Sequence, residues 1–357
     1  MRILITDDSI VFRSQIKVAL EGVPGVEVVA TASNGKIALD KLEQELIDLV
    51  IMDVEMPEMN GLEALKELRR RGHKAKVIMF SSLTKSGAET TLEALSFGAQ
   101  DFVTKPFGES LTIETAAAAI RSSLVPKIQQ FLLKDRLLQS LKTEVVPLVF
   151  DVQTSNPTRY SHYPIEKSLP SVVVIGSSTG GPAALEDVLR GLAGKTLRCP
   201  ILITQHMPPV FTASLAQRIQ TLTGISCEEG KHMEILQKKI YVAPGDFHMT
   251  LSSDSGVYRV MLDQNPPRNS VRPAVDFLFE SAAKIFGNRC VGAVLTGMGS
   301  DGADGSIAIK KQGGGVIIQN KETCVVFGMP GAVFETGAYD LIKNLDEIRS
   351  LIVSMTT

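Results

Sequence analysis

Short apolar runs alternate with longer amphipathic stretches along the first 125 residues of the chain. Runs this short, each followed by apolar residues at helical spacing, are typical of parallel strands that crossover helices bury on both faces. Five such units predict a doubly wound (βα)5 domain of the α/β class. The predicted strands are Ile3–Ile5, Val26–Ala30, Leu49–Met52, Val77–Phe80 and Phe102–Val103.

The strand pattern stops after this domain and returns near residue 171. Residues 127–142 predict one more helix, and residues 144–170 hold four prolines among Ser, Thr and Asn, which indicates an exposed linker. We therefore predict a domain at 1–125, a helix and linker at 126–170, and a second α/β domain with a mainly parallel sheet at 171–357. The strands predicted there are Val172–Ile175, Ile201–Thr204, Ile240–Ala243, Val291–Leu295 and Val316–Gln319.

Composition and charge narrow the class of protein. Hydrophobic residues make up 44% and charged residues 21% of the 357 positions, as in soluble globular proteins. No apolar run reaches the ~18 to 20 residues of a membrane-spanning helix, and the N-terminus has no leader pattern, so we expect no membrane insertion. A net charge of −2 gives no case for nucleic acid binding. Four widely spaced cysteines predict reduced thiols in the cytoplasm.

Polar residues follow several predicted strands of the first domain at their carboxyl ends. Asp7 and Asp8 follow the first strand, Asp53 the third, Ser81 the fourth and Lys105 the fifth. Ligands bind at this edge of an open parallel sheet. Three carboxylates that converge there repel each other unless a cation is shared, and oxygen ligands of this kind suit Mg²⁺. Such a site can form an aspartyl phosphate, with Asp53 as the nucleophile.

These residues, in this order on these elements, resemble the receiver domain of two-component response regulators. The segments that carry the resemblance are Asp7-Asp8, Met52-Asp53-Val54-Glu55-Met56-Pro57, Gly61, Ser81-Ser82 and Lys105-Pro106. The resemblance implies Asp53 as phospho-acceptor, Asp8 and Asp53 as direct Mg²⁺ ligands, and Asp7 as a supporting ligand.

The same resemblance implies Ser81 as the switch hydroxyl, Lys105 as the phosphoryl-binding lysine and Phe102 as the aromatic switch residue. Asp8 and Phe102 each have a plain structural interpretation as well. Asp8 could cap the helix that begins near Ser9, and an aromatic residue in a strand, such as Phe102, is usually part of the core.

A glycine-rich turn follows the first strand of the second domain. Its spacing, Gly176-x-Ser178-x-Gly180, is that of a nucleophile elbow, in which a tight strand-to-helix turn exposes a serine. Such turns also bind phosphates, so nucleotide binding is the alternative. However, no lysine follows the glycines as in a Walker loop, and the Gly-x-Gly-x-x-Gly pattern is absent.

A serine nucleophile needs a base and an acid that orients the base. His206 follows the next predicted strand and therefore lies on the same sheet edge as Ser178, while His248 is its main rival. Asp301 and Asp304 follow the strand Val291–Leu295 and compete for the role of the acid, although Asp304 is also well placed to cap the next helix. The pattern therefore predicts a serine hydrolase with the order Ser, His, Asp.

Three segments resemble the signature segments of the chemotaxis methylesterase family, which are Gly176-Ser177-Ser178-Thr179-Gly180-Gly181, Gln205-His206-Met207-Pro208 and Leu295-Thr296-Gly297-Met298-Gly299-Ser300-Asp301-Gly302. The segments Ala243-Pro244-Gly245, Arg272-Pro273-Ala274-Val275-Asp276 and Phe327-Gly328-Met329-Pro330 agree further. The family's order of receiver, linker and hydrolase is also that of this chain. There are departures, because Ser177 stands where alanine is common and Asp246-Phe247 replaces a more usual small or basic pair.

The resemblance implies Ser178 as nucleophile, His206 as general base and acid, and Asp301 as the orienting acid. It places the oxyanion donor at the backbone N–H of Met298, with Thr179 beside the nucleophile. No cofactor is expected for the esterase chemistry, whereas phosphorylation of the receiver is expected to need Mg²⁺.

The implied function is hydrolysis of glutamate methyl esters on chemoreceptors, and deamidation of receptor glutamines, for chemotactic adaptation. The implied partners are methyl-accepting chemotaxis receptors as substrate and a chemotaxis histidine kinase as phosphodonor. In the family, the unphosphorylated receiver packs against the hydrolase, and phosphorylation of Asp53 is therefore expected to activate it.

Two other classes of function are weighed against this one. A phospho-regulated receptor-binding module without hydrolase activity would keep the fold, but the intact set of Ser178, His206 and Asp301 counts against it. A regulator that acts on DNA would need a basic recognition helix after the receiver, and the second domain shows neither its charge nor its size.

Overall fold

The computed structural model describes residues 1–107, 112–143 and 160–357, and of residues 134–143 it describes the backbone alone. Residues 144–159, most of the predicted linker, lie outside the described residues. The chain forms two compact units, Met1–Pro147 and Leu148–Thr357. Within the described ranges, no helix combines the length and the apolar character that crossing a membrane requires.

The first unit holds a five-stranded sheet in the order β2-β1-β3-β4-β5, with every pair of neighbours parallel. Its strands are β1 (Arg2–Thr6), β2 (Glu27–Ala32), β3 (Leu49–Asp53), β4 (Lys76–Ser81) and β5 (Asp101–Thr104). This sheet confirms the predicted doubly wound domain. Since β1 and β3 are neighbours in a parallel sheet, the residues at their carboxyl ends meet at one edge.

The helices of the first unit begin at residues that suit helix starts. Ser9, Asn34, Asn60 and Thr84 are N-caps whose side chains accept backbone N–H groups, so Ser9 and not Asp8 caps the first helix. The helices are α1 (Ile10–Leu20), α2 (Gly35–Gln44), α3 (Gly61–Arg70), α4 (Lys85–Ser96) and α5 (Ile113–Thr143). The helix predicted at 127–142 is the second half of α5.

The second unit is built on a seven-stranded sheet in the order β14-β13-β12-β6-β7-β9-β8, in which all neighbouring strands are parallel. The central strands are fully buried and rich in Val and Ile, as expected of strands covered on both faces. The strands of this sheet are β6 (Val172–Ser177), β7 (Ile201–Gln205), β8 (Cys227–Glu229), β9 (Ile240–Val242), β12 (Cys290–Val294), β13 (Gly315–Gln319) and β14 (Leu341–Lys343).

A separate antiparallel hairpin packs beside this sheet, formed by β10 (His248–Asp254) and β11 (Val257–Asp263). The second unit also contains six α-helices in its described part, α6 (Gly181–Leu189), α7 (Phe211–Thr223), α8 (Val275–Phe286), α9 (Ala303–Lys311), α10 (Met329–Thr336) and α11 (Leu345–Thr356). An apolar core joins this sheet to α8, α9, α10 and the hairpin. This arrangement brings the carboxyl ends of β6, β7 and β12 side by side.

Candidate active site and phosphorylation site

Three carboxylates of the first unit converge at the carboxyl ends of β1 and β3. Asp7, Asp8 and Asp53 each offer an oxygen, and these atoms lie within 4.8 Å of one another. Asp7 and Asp53 are buried, while Asp8 is exposed. The predicted cluster is therefore assembled, with one side open to solvent.

Lys105 supplies the positive charge of this cluster. Its Nζ lies 2.8 Å from Oδ2 of Asp53 and 3.1 Å from Oδ2 of Asp7. The Lys105 backbone N–H donates to the carbonyl of Ser81 at 2.7 Å, which fixes the chain directly after β5. The ammonium also lies over the ring of Phe12, at 4.7 Å from its centroid.

Burial disfavours the ionised form of Asp53 and of Asp7. Burial, followed by the charge of Asp7, raises the pKa of Asp53 to about 6, although Lys105 opposes the shift. Burial likewise raises the pKa of Asp7. Carboxylate oxygens are the ligands that Mg²⁺ prefers, and a divalent cation would relieve the repulsion that one lysine leaves. The donor set therefore fits Mg²⁺.

The predicted switch residues lie on β4 and β5, the two strands that follow β3 in the sheet. The Ser81 hydroxyl accepts a hydrogen bond from Thr91 Oγ1 at 2.8 Å and lies 3.3 Å from the carbonyl of Gly87, so it faces α4 in this structure. Phe102 is 8% exposed in β5. Its strand pairs with β4, which ends at Ser81.

The spacing between Asp53 and Gly61 has a steric cause. A Cβ at Gly61 would lie 2.0 Å from the Asp53 carbonyl oxygen, so only glycine allows α3 to begin this close to the end of β3. The segment between them turns back toward Asp53, and the Gly61 N–H donates to the Val54 carbonyl at 3.1 Å.

In the second unit, Ser178 occupies the turn between β6 and α6. Ser177 is the last residue of β6, and α6 begins at Gly181 after Gly180, whose φ is 76°. The Ser178 N–H donates to the Thr296 carbonyl at 3.0 Å, and its carbonyl accepts the Gly181 N–H at 2.7 Å. Ser178 is half-buried at this strand-to-helix turn, as the elbow pattern predicts.

His206 and Asp301 contact each other directly. Nε2 of His206 lies 2.7 Å from Oδ2 of Asp301, and the two side chains are 10% and 2% exposed. Strand β7 pairs with β6 so that Ser177 lies opposite Gln205, and the residues that directly follow these two strands are Ser178 and His206. Since a carboxylate accepts the Nε2–H, the Nδ1 atom remains as the basic nitrogen of the neutral ring.

The Asp301 carboxylate is held at the start of α8. Its Oδ2 accepts the N–H of Val275 at 2.6 Å and its Oδ1 that of Asp276 at 3.1 Å. Burial opposes ionisation, but the hydrogen bond and charge of His206, with these two amides, hold the pKa of Asp301 below its usual range. Between the two candidates, Asp301 is thus the acid in contact with His206.

Asp304 has a different place. It lies in the first turn of α9, whose N-cap is Gly302, and its carboxylate pairs with Arg268 at 3.0 Å. Its side chain is 66% exposed, so it is a surface acid of the helix start.

The loop after β12 runs past Ser178. A Cβ at Gly297 would lie 2.2 Å from Sδ of Met329 and 2.9 Å from Cβ of Ser178, so the absence of a side chain lets this loop approach the serine. Next along the loop, the Met298 N–H donates no hydrogen bond to any residue in the part of the chain that the structure describes. Thr179, beside Ser178, is buried, and its carbonyl accepts the Thr296 hydroxyl at 2.9 Å.

Gln205 joins the turns of the serine and the histidine, which the sequence patterns did not predict. Its Nε2 donates to the Ser178 carbonyl at 3.0 Å and to the His206 carbonyl at 3.3 Å. Its Oε1 accepts the Ser177 hydroxyl at 2.7 Å. Its position directly before His206 in the signature segment was the available signal.

His248 and Arg272 both make hydrogen bonds to loops around the site. His248 is fully buried, its Nδ1 accepts the Ala274 N–H at 3.1 Å, and its Nε2 lies 3.2 Å from the Pro266 carbonyl. Arg272 binds Asp246, with its Nε 3.0 Å from Oδ1, at the rim of a cleft of about 570 Å³ that His206 also lines. Both ring nitrogens of His248 are thus used by the backbone, and His248 does not compete with His206.

Like Asp301, Asp276 accepts hydrogen bonds from backbone N–H groups at the start of a helix. Its Oδ1 accepts the N–H groups of Gly302 at 2.9 Å and of Gly305 at 2.8 Å, at the start of α9. Asp301 precedes α9 and binds the start of α8, whereas Asp276 belongs to α8 and binds the start of α9. We call this arrangement the reciprocal caps.

Comparison with known families agrees with both halves of this architecture. The model of the CheB methylesterase family matches residues 173–352. The model of the response regulator receiver domain matches residues 3–117.

Full-length relatives are also similar. A protein-glutamate methylesterase/protein-glutamine glutaminase of Trichodesmium erythraeum is 41% identical over 99% of this chain and 98% of its own length. The protein of the same name from Thermotoga maritima is 40% identical over 99% of this chain and 98% of its own length. The crystal structure of the Thermotoga maritima CheB methylesterase catalytic domain matches 52% of this chain and 98% of that domain, with a TM-score of 0.50 and 41% identity. The chain therefore belongs to the family of protein-glutamate methylesterases/protein-glutamine glutaminases with an N-terminal receiver domain.

Proposed function

We propose that this chain is a phosphorylation-regulated hydrolase of chemotaxis, which removes methyl esters from receptor glutamates and deamidates receptor glutamines. The observation that carries the proposal is the contact of 2.7 Å between His206 and Asp301 at the strand end next to Ser178. A base held by a buried acid beside a serine on a tight turn is the arrangement that acyl transfer requires.

In the proposed reaction, Nδ1 of His206 takes the proton of the Ser178 hydroxyl while the serine oxygen attacks the carbonyl carbon of the glutamyl ester. The Nε2–H of His206 donates to Asp301, which orients the ring and stabilises its protonated form. The Met298 N–H is the proposed donor to the oxyanion, a contribution of about 3 kcal/mol in enzymes of this kind.

Collapse of the tetrahedral intermediate breaks the bond to the methoxy group, and the proton held by His206 leaves with methanol. Water, deprotonated by His206, then attacks the acyl-enzyme, which releases the glutamate carboxylate and restores the Ser178 hydroxyl. With a glutamine substrate the same steps release ammonia.

For the first unit, we propose Asp53 as the phospho-acceptor, since its carboxylate lies at the sheet edge and its Oδ2 contacts Lys105. Asp7, Asp8 and Asp53 would hold Mg²⁺, which neutralises negative charge during phosphoryl transfer. Lys105 binds the phosphoryl oxygens, and Ser81 and Phe102 transmit the change of state.

The proposed phosphodonor is a chemotaxis histidine kinase, the proposed substrates are methyl-accepting receptors, and the proposed location is the cytoplasm. We also propose the boundaries 1–125 for the receiver, 126–170 for the helix and linker, and 171–357 for the hydrolase. The two family models, at residues 3–117 and 173–352, support this division.

Methanol release from membranes that carry methylated chemoreceptors tests the proposal. The wild type is assayed with and without Mg²⁺ and a small phosphodonor, beside Ser178→Ala and Asp53→Ala. We expect release that Ser178→Ala abolishes and that the phosphodonor raises in the wild type but not in Asp53→Ala. Equal release by wild type and Ser178→Ala would refute the serine mechanism. Receptor binding by the wild type without any methanol release would favour the binding-module alternative.

A further inference from the structure

Asp276 is a buried acid next to the proposed site that the reaction above does not use. It is 1% exposed and lies in the first turn of α8. Through the reciprocal caps it binds the loop that carries Asp301, while Asp301 binds the backbone N–H of Asp276 at 3.1 Å. The two acids therefore hold each other's backbone in place.

Asn269 connects the two carboxylates. Its Nδ2 donates to Oδ2 of Asp276 at 3.0 Å and lies 3.3 Å from Oδ1 of Asp301. Its φ of 53° is in the left-handed region, where asparagine is among the few tolerated side chains. The backbone before α8 is thus shaped so that one amide serves both acids.

The guanidinium of Arg268 balances part of the negative charge around Asp276. Nε of Arg268 lies 3.5 Å from Oδ2 of Asp276, and the same group contacts Glu280 at 2.9 Å and Asp304 at 3.0 Å. In the described part of the chain, Arg268 and His206 are the charged or titratable side chains that contact Asp276 or Asp301 from outside the pair, while Glu280 and Asp304 contact Arg268. Arg268 thus serves three acids, and Asp276 is the buried one.

The two acids differ in their affinity for protons. Burial, then the charge of Asp301, raises the pKa of Asp276 to about 7, although the Gly305 amide and Arg268 oppose the shift. The pKa of Asp301 is instead held below its usual range, because His206 and two backbone amides outweigh its burial. Near neutral pH, Asp301 is therefore the ionised partner, and Asp276 changes charge.

We infer that Asp276 is a positioning residue for the hydrolysis, which fixes the Asp301 carboxylate against His206 and whose own charge sets the lower pH limit of activity. The geometry is that of the reciprocal caps, with Asn269 between the two acids and Arg268 behind them. This inference rests on the proposed function, in which Asp301 orients His206.

The test compares the full-length wild type with Asp276→Asn and Asp304→Asn. Asparagine at 276 keeps an oxygen for the Gly302 and Gly305 amides but removes the charge and replaces the oxygen that accepts Asn269 with an NH2 group. A purely structural loss lowers activity at every pH and leaves the shape of the pH profile unchanged. Asp304→Asn removes an acid that shares Arg268 and does not touch Asp301. The measurement is kcat/KM for methanol release between pH 5 and 9, with Mg²⁺ and phosphodonor present.

For Asp276→Asn we expect kcat/KM at pH 8 to fall severalfold and the inflection that Asp276 contributes to the acid limb to disappear. The amide is neutral at every pH, as the protonated acid is at low pH, so the variant behaves above pH 7 as the wild type does below it. For Asp304→Asn we expect a profile that coincides with the wild type. A profile of Asp276→Asn that coincides with the wild type as well would overturn the inference.

A second readout does not depend on hydrolysis. The carboxyl ¹³C resonance of Asp276, assigned by its loss in Asp276→Asn, is followed against pH in the full-length protein. We expect a midpoint near 7, whereas titration with the exposed aspartates, near pH 4, would overturn the inference. If the wild type released no methanol, the proposed function would fail while this titration still measured Asp276.

Discussion

Asp301 contacts His206 through one carboxylate oxygen and the N-terminus of α8 through both. Its Oδ2 lies 2.7 Å from Nε2 of the imidazole and also accepts the Val275 N–H at 2.6 Å. The acid is therefore fixed by the backbone before it meets the histidine, and the ring adopts the orientation that this fixed acceptor imposes. A base held in this way needs no rearrangement when substrate arrives.

Asp301→Asn should lower kcat for methanol release by about three to four orders of magnitude. The amide keeps the shape of the side chain but favours the wrong tautomer of His206 and cannot balance its positive charge. Initial rates on methylated receptors measure the effect, and Asp304→Asn is the matched control. A loss of comparable size in Asp304→Asn would contradict the assignment of the acid.

Gln205→Glu should lower kcat about ten- to a hundredfold. The side chain keeps its length but loses both N–H donors to the Ser178 and His206 carbonyls, so the two turns can drift apart. Ser177→Ala is the control, because it removes only the donor to Oε1 and should leave kcat within about threefold. Equal losses in the two variants would show that Ser177, not the Gln205 donors, matters.

Asp53→Asn should stabilise the first unit at pH 8 by roughly 1 to 3 kcal/mol and have little effect at pH 4. The pKa of Asp53 rises from 3.8 to about 6 on folding, so the folded state holds the proton more tightly. The wild type therefore loses stability as the pH rises between these values, and the variant does not.

Thermal melts across this pH range measure the difference, with the exposed Asp40→Asn as control. Mg²⁺ should raise the melting temperature of the wild type at pH 8 more than that of Asp53→Asn. A Mg²⁺ effect that is equal in both proteins would mean that the ion does not bind at Asp53.

Ser81→Ala should still accept a phosphoryl group at Asp53 but lose most of the activation, at least about fivefold. In this structure the Ser81 hydroxyl is bound to Thr91 on α4 at 2.8 Å. In the proposed switch, this hydroxyl leaves α4 and binds the phosphoryl group on Asp53. Ser82→Ala, at the neighbouring hydroxyl, should activate normally. Phosphorylation stoichiometry and methanol release are measured on the same samples, and normal activation of Ser81→Ala would refute the switch role.

The strands that carry chemistry were predictable, because buried parallel strands are short apolar runs and their polar residues follow at one end. The positions of Ser178, His206, Asp301 and Asp53 after predicted strands were identified in this way, although the sequence patterns left Asp304 and His248 as rivals. Only three-dimensional contacts separate them, since both rivals also follow apolar segments.

Other parts of the molecule carried weaker signals. The hairpin β10–β11 turns at Ser255 and Gly256, both with positive φ, and this Ser-Gly pair between alternating residues could have predicted it. The edge strands β8 and β14 have three residues each and are partly exposed, so they lack an apolar run. The roles of Gln205 and Asp276 depend on partners far along the chain, which local patterns do not encode.

Because of the reciprocal caps, few substitutions can abolish the proposed hydrolysis without also destabilising the fold. An apolar residue at Asp301 or Asp276 would strip acceptors from backbone amides at a helix start, so inactivation there also weakens the fold. The Ser178 hydroxyl, by contrast, caps no helix, because α6 begins after Gly180 without a side-chain hydrogen bond at its N-cap. A pseudoenzyme that survives as a receptor scaffold should therefore arise through Ser178, and a substrate trap for isolating receptors is best built as Ser178→Ala.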